Sequence, residues 1–190
     1  NAAGYSTQAV AELALCMMIS LLRNVPQVSE RCRNGQTKDG LVGCELRGKT
    51  VGIVGAGAIG TRTAELCHAF GCKVLGNKRH VTGQEPSFIE FVPLERLLEE
   101  SDIVSLHCPL TEETRHLINA ERIAHMKQGA YLINTARGPV VDSEALAKAL
   151  NEGRLSGAGI DVFENEPPLD TAHPLLHCKN TLVTPHVAFA

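Results

Sequence analysis

The chain has 190 residues, of which 44% are hydrophobic and 21% are charged, and its formal net charge is −3 at pH 7. This length and composition suit one globular domain with a well-buried core. The mildly acidic charge without a basic block argues against a nucleic-acid surface, and no apolar run reaches the roughly 18 residues of a membrane span.

The cysteines indicate a reducing compartment. There are seven of them, and none forms a C-x-x-C pair or a metal-ligand spacing. An odd number of cysteines without such spacing is typical of reduced thiols. We therefore expect a cytoplasmic protein with no zinc or other metal site.

The N-terminal part is predicted to be helical. Ser6 or Thr7 is a suitable N-cap for a first helix that runs to about Asn24, and Pro26 suits the first turn of a second helix that ends near Arg33. The chain enters this helical pattern without an initiator Met or a signal peptide. We expect it to be a piece of a larger protein.

From residue 49 onward, predicted strands alternate with predicted helices. The strands lie near residues 49–54, 73–76, 91–92, 103–107, 130–134, 158–161 and 181–183. The helices lie near residues 59–70, 94–100, 120–125 and 143–151. This alternation is typical of a parallel sheet with helices on both faces. The sequence therefore predicts an α/β fold of the doubly wound, Rossmann type, with two extra N-terminal helices and with ligands beyond the carboxyl ends of the strands.

A glycine-rich turn follows the first predicted strand, with the sequence Gly55-Ala-Gly57-Ala58-Ile59-Gly60. In such a turn the first glycine permits the tight bend, the second lets the backbone approach a pyrophosphate, and the third lets the next helix pack closely on the sheet. The amides of Ala58 and Ile59 open a helix whose positive end would face the phosphates. The pattern predicts a dinucleotide site.

The end of the second predicted strand bears on the choice of dinucleotide. NAD-preferring folds usually place Asp or Glu there, whereas this chain continues Asn77-Lys78-Arg79-His80. A carboxylate repels a 2′-phosphate and cations attract it, so Lys78 and Arg79 predict a preference for NADP(H) over NAD(H). The alternative is that both are solvated loop charges.

Three further segments follow predicted strands and place reactive side chains at the same edge of the sheet. Arg137 follows the strand that ends with Ile-Asn-Thr, Glu166 lies in Asp161-Val-Phe-Glu-Asn-Glu166, and His186 lies in Thr-Pro-His186. A guanidinium fork suits a carboxylate, and an imidazole beside a carboxylate suits proton transfer. Of the two neighbouring glutamates, we assign Glu164 to solvent.

Together with the run from His107 to Thr114, HCPLTEET, these segments closely resemble the D-isomer-specific 2-hydroxyacid dehydrogenases over essentially the whole chain. Subunits of that family have a split substrate domain around a nucleotide-binding domain. The resemblance implies that residues 1–190 are the dinucleotide-binding domain of a larger two-domain subunit, with most of the substrate domain absent.

The resemblance also implies roles for the reactive residues. Arg137 matches the arginine that binds the carboxylate and carbonyl oxygens of a 2-oxo acid. His186 matches the acid/base that donates a proton to the carbonyl oxygen as hydride arrives, and Glu166 matches the carboxylate that holds its imidazole. The implied activity is NAD(P)H-dependent reduction of glyoxylate, hydroxypyruvate, pyruvate or a similar small oxo acid to the D-2-hydroxy acid, with D-lactate and phosphoglycerate dehydrogenases as close analogues.

Further cofactor contacts are implied for residues of several loops, with Asp161 binding the nicotinamide amide and Thr7 either binding cofactor or only capping the first helix. These residues are Thr7, His107, Cys108, Pro109, Thr114, Thr135, Ala136 and Asp161. Lys78 departs from the acidic residue that is common in the family. The family also commonly dimerises through the two N-terminal helices, so a homodimer is expected, with packing of these helices in the subunit's own core as the alternative.

A different class of function stays open, namely a dinucleotide-sensing protein like the corepressors that share this scaffold. Formate oxidation is disfavoured, because relatives with that activity carry Gln where Glu166 stands. The other histidines are expected to be solvated or to lie on helix faces: His68, His80, His116, His125, His173 and His177.

Overall fold

The computed structural model describes residues 6–167 and 169–190. Its strands are β1 (Thr50–Val54), β2 (Lys73–Asn77), β3 (Ile89–Phe91), β4 (Ile103–Leu106), β5 (Tyr131–Asn134), β6 (Gly157–Ile160) and β7 (Thr181–Val183). Its α-helices are α1 (Thr7–Leu22), α2 (Val25–Arg33), α3 (Ala58–Ala69), α4 (Leu94–Glu100), α5 (Ala120–His125) and α6 (Ser143–Asn151). Two short 3₁₀ turns span Gly138–Val140 and Pro174–Leu176.

The strands form one sheet in the order β3-β2-β1-β4-β5-β6-β7, and every neighbouring pair is parallel. The chain builds outward from β1 to β2 and β3, and then crosses to β4 on the other side of β1. This reversal is the switch point of a doubly wound fold, where a crevice opens beyond the carboxyl ends of the strands. The predicted fold class is confirmed.

The hydrophobic core lies on both faces of the sheet. On β4, Ile103 packs with α1 and α3 on one face, and the next residue, Val104, packs with α4 to α6 on the other. On β5, Ile133 packs with α1 and α3, and Leu132 packs on the opposite face with α4 to α6. The strands are therefore buried on both faces, which explains their continuous apolar runs.

Most predicted boundaries agree with the structure within two residues. β3 begins at Ile89 rather than at residue 91, and the two 3₁₀ turns were not predicted. Each turn has only three residues and a proline in its first turn, so it carries no hydrophobic period that a sequence pattern could reveal.

Helix α1 belongs to the subunit's own core. It packs against α3, β5 and β6, and its buried side chains include Ala14, Met17, Met18 and Leu21. The alternative given above, packing of the N-terminal helices in the subunit's own core, therefore holds for α1, whereas α2 has no buried residue. The homodimer stays a prediction.

Among the described residues, no single helix is long and apolar enough to cross a membrane. Helices α1 and α2 meet the length and composition of a span only when taken together, and they are bent by 61° relative to each other.

Packing between α1 and β6 generates a prediction. Met17 is fully buried, and a Cβ atom at Gly159 on β6 would lie 2.9 Å from its Cβ. Met17→Ala removes the buried side chain beyond its Cβ and leaves a cavity, so it should lower the free energy of unfolding by about 2–5 kcal/mol. Denaturant unfolding measures this loss.

The matched control is Cys16→Ala, because Cys16 is the preceding residue of the same helix and is exposed. It should change the free energy of unfolding by less than about 0.5 kcal/mol. Equal effects of the two substitutions would show that α1 does not pack on β6 in this way.

Candidate functional site

The glycine turn after β1 has a separate physical reason for each glycine. Gly55 has φ +92°, and a Cβ there would lie 2.5 Å from the Cys108 nitrogen. A Cβ at Gly60 would lie 2.3 Å from the Gly55 oxygen, whereas a Cβ at Gly57 would meet nothing within 4 Å. Gly55 and Gly60 therefore serve close packing, and Gly57 leaves the approach to the N-terminus of α3 open. This shape fits a pyrophosphate, which needs close access to backbone amides.

A cleft of about 690 Å³ lies beside this turn, at the carboxyl ends of β1, β4 and β5. It is lined by Ser6, Val10, Ile59, His107, Cys108, Pro109, Leu110, Thr135, Ala136, Arg137, His186, Ala188 and Phe189. Many of the predicted cofactor and catalytic residues are thus on its wall. At the start of α1, Ser6 and Val10 line the cleft and Thr7 does not. The Ser6 side chain makes no capping hydrogen bond to the helix that begins at Thr7.

Two buried polar atoms of the cleft wall, Nδ1 of His107 and Oγ1 of Thr135, have no hydrogen-bond partner among the residues that the structure describes. Nε2 of His107 lies 2.9 Å from Oγ of Ser105. Burial lowers the pKa of His107 to about 4, so its ring is neutral near pH 7. Buried polar groups are normally paired, so these two atoms fit a polar ligand in the cleft, such as the ribose or amide of a dinucleotide. Sequence reasoning had predicted contacts from this loop without identifying the side-chain atoms.

The catalytic candidates converge at one end of the cleft. Nδ1 of His186 lies 2.9 Å from Oε1 of Glu166, with side chains 40% and 20% exposed. His186 and Arg137 both line the cleft, and His186 and Glu166 also line an adjoining cavity of about 350 Å³. Nη1 of Arg137 donates to the Ala136 oxygen at 2.6 Å, which holds the arginine beside the wall. The geometry brings a cation and an imidazole–carboxylate pair to one space.

Hydrogen bonds to Asp161 hold the backbone around His186 in place. His186 has φ +55°, a left-handed backbone conformation that costs about 1–3 kcal/mol for a residue with a Cβ atom. The main-chain amide of His186 donates to the main-chain oxygen of Asp161 at 2.7 Å. Oδ1 of the fully buried Asp161 accepts from Thr184 Oγ1 at 2.5 Å and Val187 N at 2.9 Å, and Oδ2 accepts from Ala188 N at 2.9 Å. The carboxylate thus fixes the chain on both sides of His186.

This arrangement gives Asp161 a task that the sequence had not suggested. It was predicted to bind the nicotinamide amide, but its side chain is completely buried and both oxygens accept hydrogen bonds from the protein. Thr114 is similar, because its hydroxyl donates to the Pro109 oxygen at 2.6 Å inside its own loop. Contact of either residue with cofactor stays a prediction.

Glu164 is not a solvated carboxylate, and that prediction is wrong. Ser143 at the start of α6 donates to its Oε1 at 2.5 Å, and Nε2 of His173 lies 2.8 Å from its Oε2. Burial raises the pKa of Glu164, but the hydrogen bonds from Ser143 and His173 outweigh burial and the net pKa is lowered. His173, predicted to be solvated, has a side chain only 13% exposed and packs edge-on against Phe163. These contacts tie down the segment that carries Glu166.

The loops that carry Arg137 and Glu166 also touch directly. A Cβ at Gly138 would lie 2.1 Å from the Phe163 carbonyl carbon, so the two backbones are in contact there. The Asn134 side chain accepts from Ala136 N at 3.1 Å and donates to the Arg137 oxygen at 2.9 Å, which fixes the loop after β5. Sequence reasoning missed this role of Asn134, although a polar residue that ends a buried apolar strand was a usable signal.

Lys78 and Arg79 are not free cations. Nζ of Lys78 lies 2.5 Å from Oε1 of Glu85, and Nη2 of Arg79 lies 2.5 Å from Oε2 of Glu113. The prediction of NADP(H) preference treated both as uncompensated charges, and that premise is wrong. Glu113 is distant in sequence from the end of β2, and Glu85 reaches Lys78 only because the β2–β3 loop turns at Thr82 and Gly83, so the local pattern revealed neither.

The fold and this site define a class: a dinucleotide-binding α/β domain with an arginine and a histidine–glutamate pair beside the cofactor cleft. Residues 15–188 match the family described as D-isomer specific 2-hydroxyacid dehydrogenase, NAD binding domain. The chain belongs to this family, which confirms the resemblance seen in the sequence motifs.

Three known proteins illustrate the similarity. A glyoxylate reductase of Thermofilum pendens is 47% identical over 196 residues, with 98% of this chain and 57% of that protein covered. A hydroxypyruvate reductase of Thermotoga maritima is 42% identical over 189 residues, with 98% and 61% covered. The crystal structure of D-lactate dehydrogenase from Aquifex aeolicus, complexed with NAD and lactic acid, superposes with a TM-score of 0.89 at 39% identity, covering 97% of this chain and 61% of that one. The chain thus spans about three fifths of these relatives.

The buried carboxylate generates a prediction. Asp161→Asn replaces one acceptor oxygen by an NH₂ group, so at least one of its donors in residues 184–188 loses its partner. We expect the free energy of unfolding to fall by about 1–3 kcal/mol. Denaturant unfolding measures the change.

Asp170→Asn is the control, since this exposed side chain accepts from the Ala172 amide and an asparagine oxygen can do the same. It should change the unfolding free energy by less than about 0.5 kcal/mol. An unchanged stability of Asp161→Asn would contradict the structural role given to Asp161.

Proposed function

We propose that the protein to which this domain belongs reduces a small 2-oxo acid to the D-2-hydroxy acid, using a nicotinamide dinucleotide bound in the 690 Å³ cleft. The observation that carries the proposal is the 2.9 Å contact between His186 and Glu166 on a wall shared with Arg137. The names of the relatives, which include glyoxylate reductase, hydroxypyruvate reductase and D-lactate dehydrogenase, support this reaction class.

The residues present fit the cofactor. The open face at Gly57 and the first amides of α3, at Ala58 and Ile59, would hold the pyrophosphate. The unpartnered atoms of His107 and Thr135 would accept or donate hydrogen bonds further along the cleft. The bound dinucleotide supplies the hydride.

Arg137 would bind and orient the substrate. A 2-oxo acid presents a carboxylate next to a carbonyl, and a guanidinium can donate two parallel hydrogen bonds to such a pair of oxygens. Within residues 6–167 and 169–190, its side chain makes one hydrogen bond, from Nη1 to the Ala136 oxygen, so other donors of the fork are available to a ligand. Fixing the carboxylate would set the distance and angle of the carbonyl carbon.

His186 would move the proton. Its Nδ1 is engaged by Glu166, so Nε2 is the ring nitrogen left to exchange a proton with the substrate oxygen. The glutamate fixes the orientation of the ring through its contact with Nδ1. In the reductive direction Nε2 donates to the carbonyl oxygen, and in the oxidative direction it accepts from the hydroxyl.

We further propose that residues 1–190 are the dinucleotide-binding domain of a two-domain subunit that acts as a cytoplasmic homodimer. The chain's coverage of only 57% and 61% of its relatives supports the two-domain arrangement. A second, closing domain would exclude water from the cleft and complete the substrate site. The dinucleotide would be NAD(H) or NADP(H), and the ion pairs of Lys78 and Arg79 weaken the prediction of NADP(H) made from the sequence.

The proposal predicts two different kinetic defects in the full-length protein. His186→Asn removes the proton donor and should lower kcat by about 10²–10⁴-fold, with little effect on the Kd for the dinucleotide. Arg137→Met removes substrate orientation and should lower kcat/KM for the oxo acid by about 10²-fold or more. Steady-state rates with glyoxylate, hydroxypyruvate and pyruvate measure both.

His177→Asn and Arg115→Met are the matched controls, because both residues are exposed and lie away from the cleft lining. Their rates should equal those of the wild type. Tight dinucleotide binding without turnover of any oxo acid would contradict the enzyme proposal and favour a dinucleotide sensor.

A further inference from the structure

The segment after β2 is placed to meet the adenosine half of a dinucleotide. The main-chain oxygen of Asn77, the last residue of β2, accepts from Gly55 N at 2.9 Å and from Ala56 N at 3.3 Å. Lys78 therefore begins directly beside the glycine turn. In doubly wound folds the residue at this point faces the adenosine ribose and decides between a 2′-hydroxyl and a 2′-phosphate.

A carboxylate of the β2–β3 loop, which Lys78 itself opens, pairs with the Lys78 side chain. Oε1 of Glu85 lies 2.5 Å from Lys78 Nζ and accepts from Thr82 N at 2.8 Å and Thr82 Oγ1 at 3.0 Å, while Oε2 accepts from Gly83 N at 2.8 Å. Three of these four contacts come from Thr82 and Gly83, close to Glu85 in the same loop. Glu85 is thus held in place by its own loop, and the ion pair with Lys78 is added to that arrangement.

The pair is partly shielded from solvent, with side chains 24% exposed for Lys78 and 10% for Glu85. The Lys78 ammonium and the Thr82 amide hold the pKa of Glu85 well below its usual range, so the carboxylate is charged at neutral pH. The ammonium also lies 5.6 Å from the Phe91 ring centroid. Lys78 would have to leave both partners to reach a phosphate.

The second cation differs in this respect. Arg79 and Glu113 have side chains 63% and 75% exposed, and such solvated ion pairs contribute little. Water and salt screen Glu113, whereas Glu85 lies in a more enclosed place beside Lys78. The two glutamates should therefore have unequal effects on a bound phosphate.

We propose that Glu85 is a specificity-determining residue: it supplies, from the β2–β3 loop, the negative charge that the end of β2 lacks, and so disfavours the 2′-phosphate of NADP(H) relative to NAD(H). The inference rests on the proposed function only in that the cleft binds a nicotinamide dinucleotide. Glu85 cancels the charge of Lys78 and repels the phosphate, and neither effect acts on the neutral 2′-hydroxyl of NAD(H).

The test is binding of NADH and NADPH to the full-length protein, measured as Kd by calorimetry at fixed low ionic strength. Glu85→Gln keeps the size and an acceptor oxygen but removes the charge, and it should tighten NADPH by about tenfold while NADH changes by less than about twofold. The effect should shrink at high salt, because it is electrostatic.

Glu113→Gln is the matched control, since it removes the same charge from the exposed pair, and it should change the NADPH/NADH ratio of Kd values by less than about twofold. The converse variant, Lys78→Met, leaves Glu85 without its cation and should weaken NADPH by about tenfold at unchanged NADH affinity. This variant keeps the test decisive if Glu85→Gln disturbs the loop.

A ratio that stays within twofold of the wild type in both Glu85→Gln and Lys78→Met would overturn the inference. An equal loss of NADH and NADPH affinity in both variants would do the same, because it would show a structural role for the loop only. Failure of the wild type to bind either dinucleotide would instead refute the proposed function, so the two failures are distinguishable.

Discussion

Every strand of the sheet runs in the same direction, so the loops that follow β1, β4, β5, β6 and β7 all emerge at one edge. This constraint brings the glycine turn, the His107 loop, Arg137, Glu166 and His186 together although they are spread over more than half of the chain. The apolar core on both faces of the sheet fixes the strand register, and the register fixes where each loop begins. The chemistry of the site is therefore a consequence of sheet packing.

A second layer of contacts converts this rough convergence into a defined geometry. Asp161 holds the residues around His186, Glu164 joins the Glu166 segment to α6 and to His173, and Asn134 holds the Arg137 loop. The acceptor groups in this layer are buried or half-buried, where an unpaired polar group would be costly. Moving one loop would leave such a group without a partner, which keeps the reactive side chains in place without a bound ligand.

Much of the fold and of the site could be predicted, because the signals were local in the sequence. Periodic apolar segments predicted the strands and helices, and the spacing of Gly55, Gly57 and Gly60 predicted the dinucleotide-binding turn. Arg137 and His186 follow predicted strands directly. The failures at Glu164 and His173 have a different cause. Their contacts depend on how the loop after β6 folds back on itself and on α6, and a sequence pattern does not state which of two adjacent carboxylates turns inward.

The charge at the end of β2 shows the same limit and its consequence for function. Read along the chain, Lys78 and Arg79 form a cationic pair without a nearby acid. In the folded protein, the turn around Thr82 and Gly83 places the Glu85 carboxylate beside Lys78, and the loop after β4 places Glu113 beside Arg79. The local electrostatic potential is thus set by loop geometry more than by residue type at one position. Cofactor preference in this fold should follow the net charge of the enclosed groups around the ribose, whichever loop carries them, because enclosed charges are screened less than solvated ones.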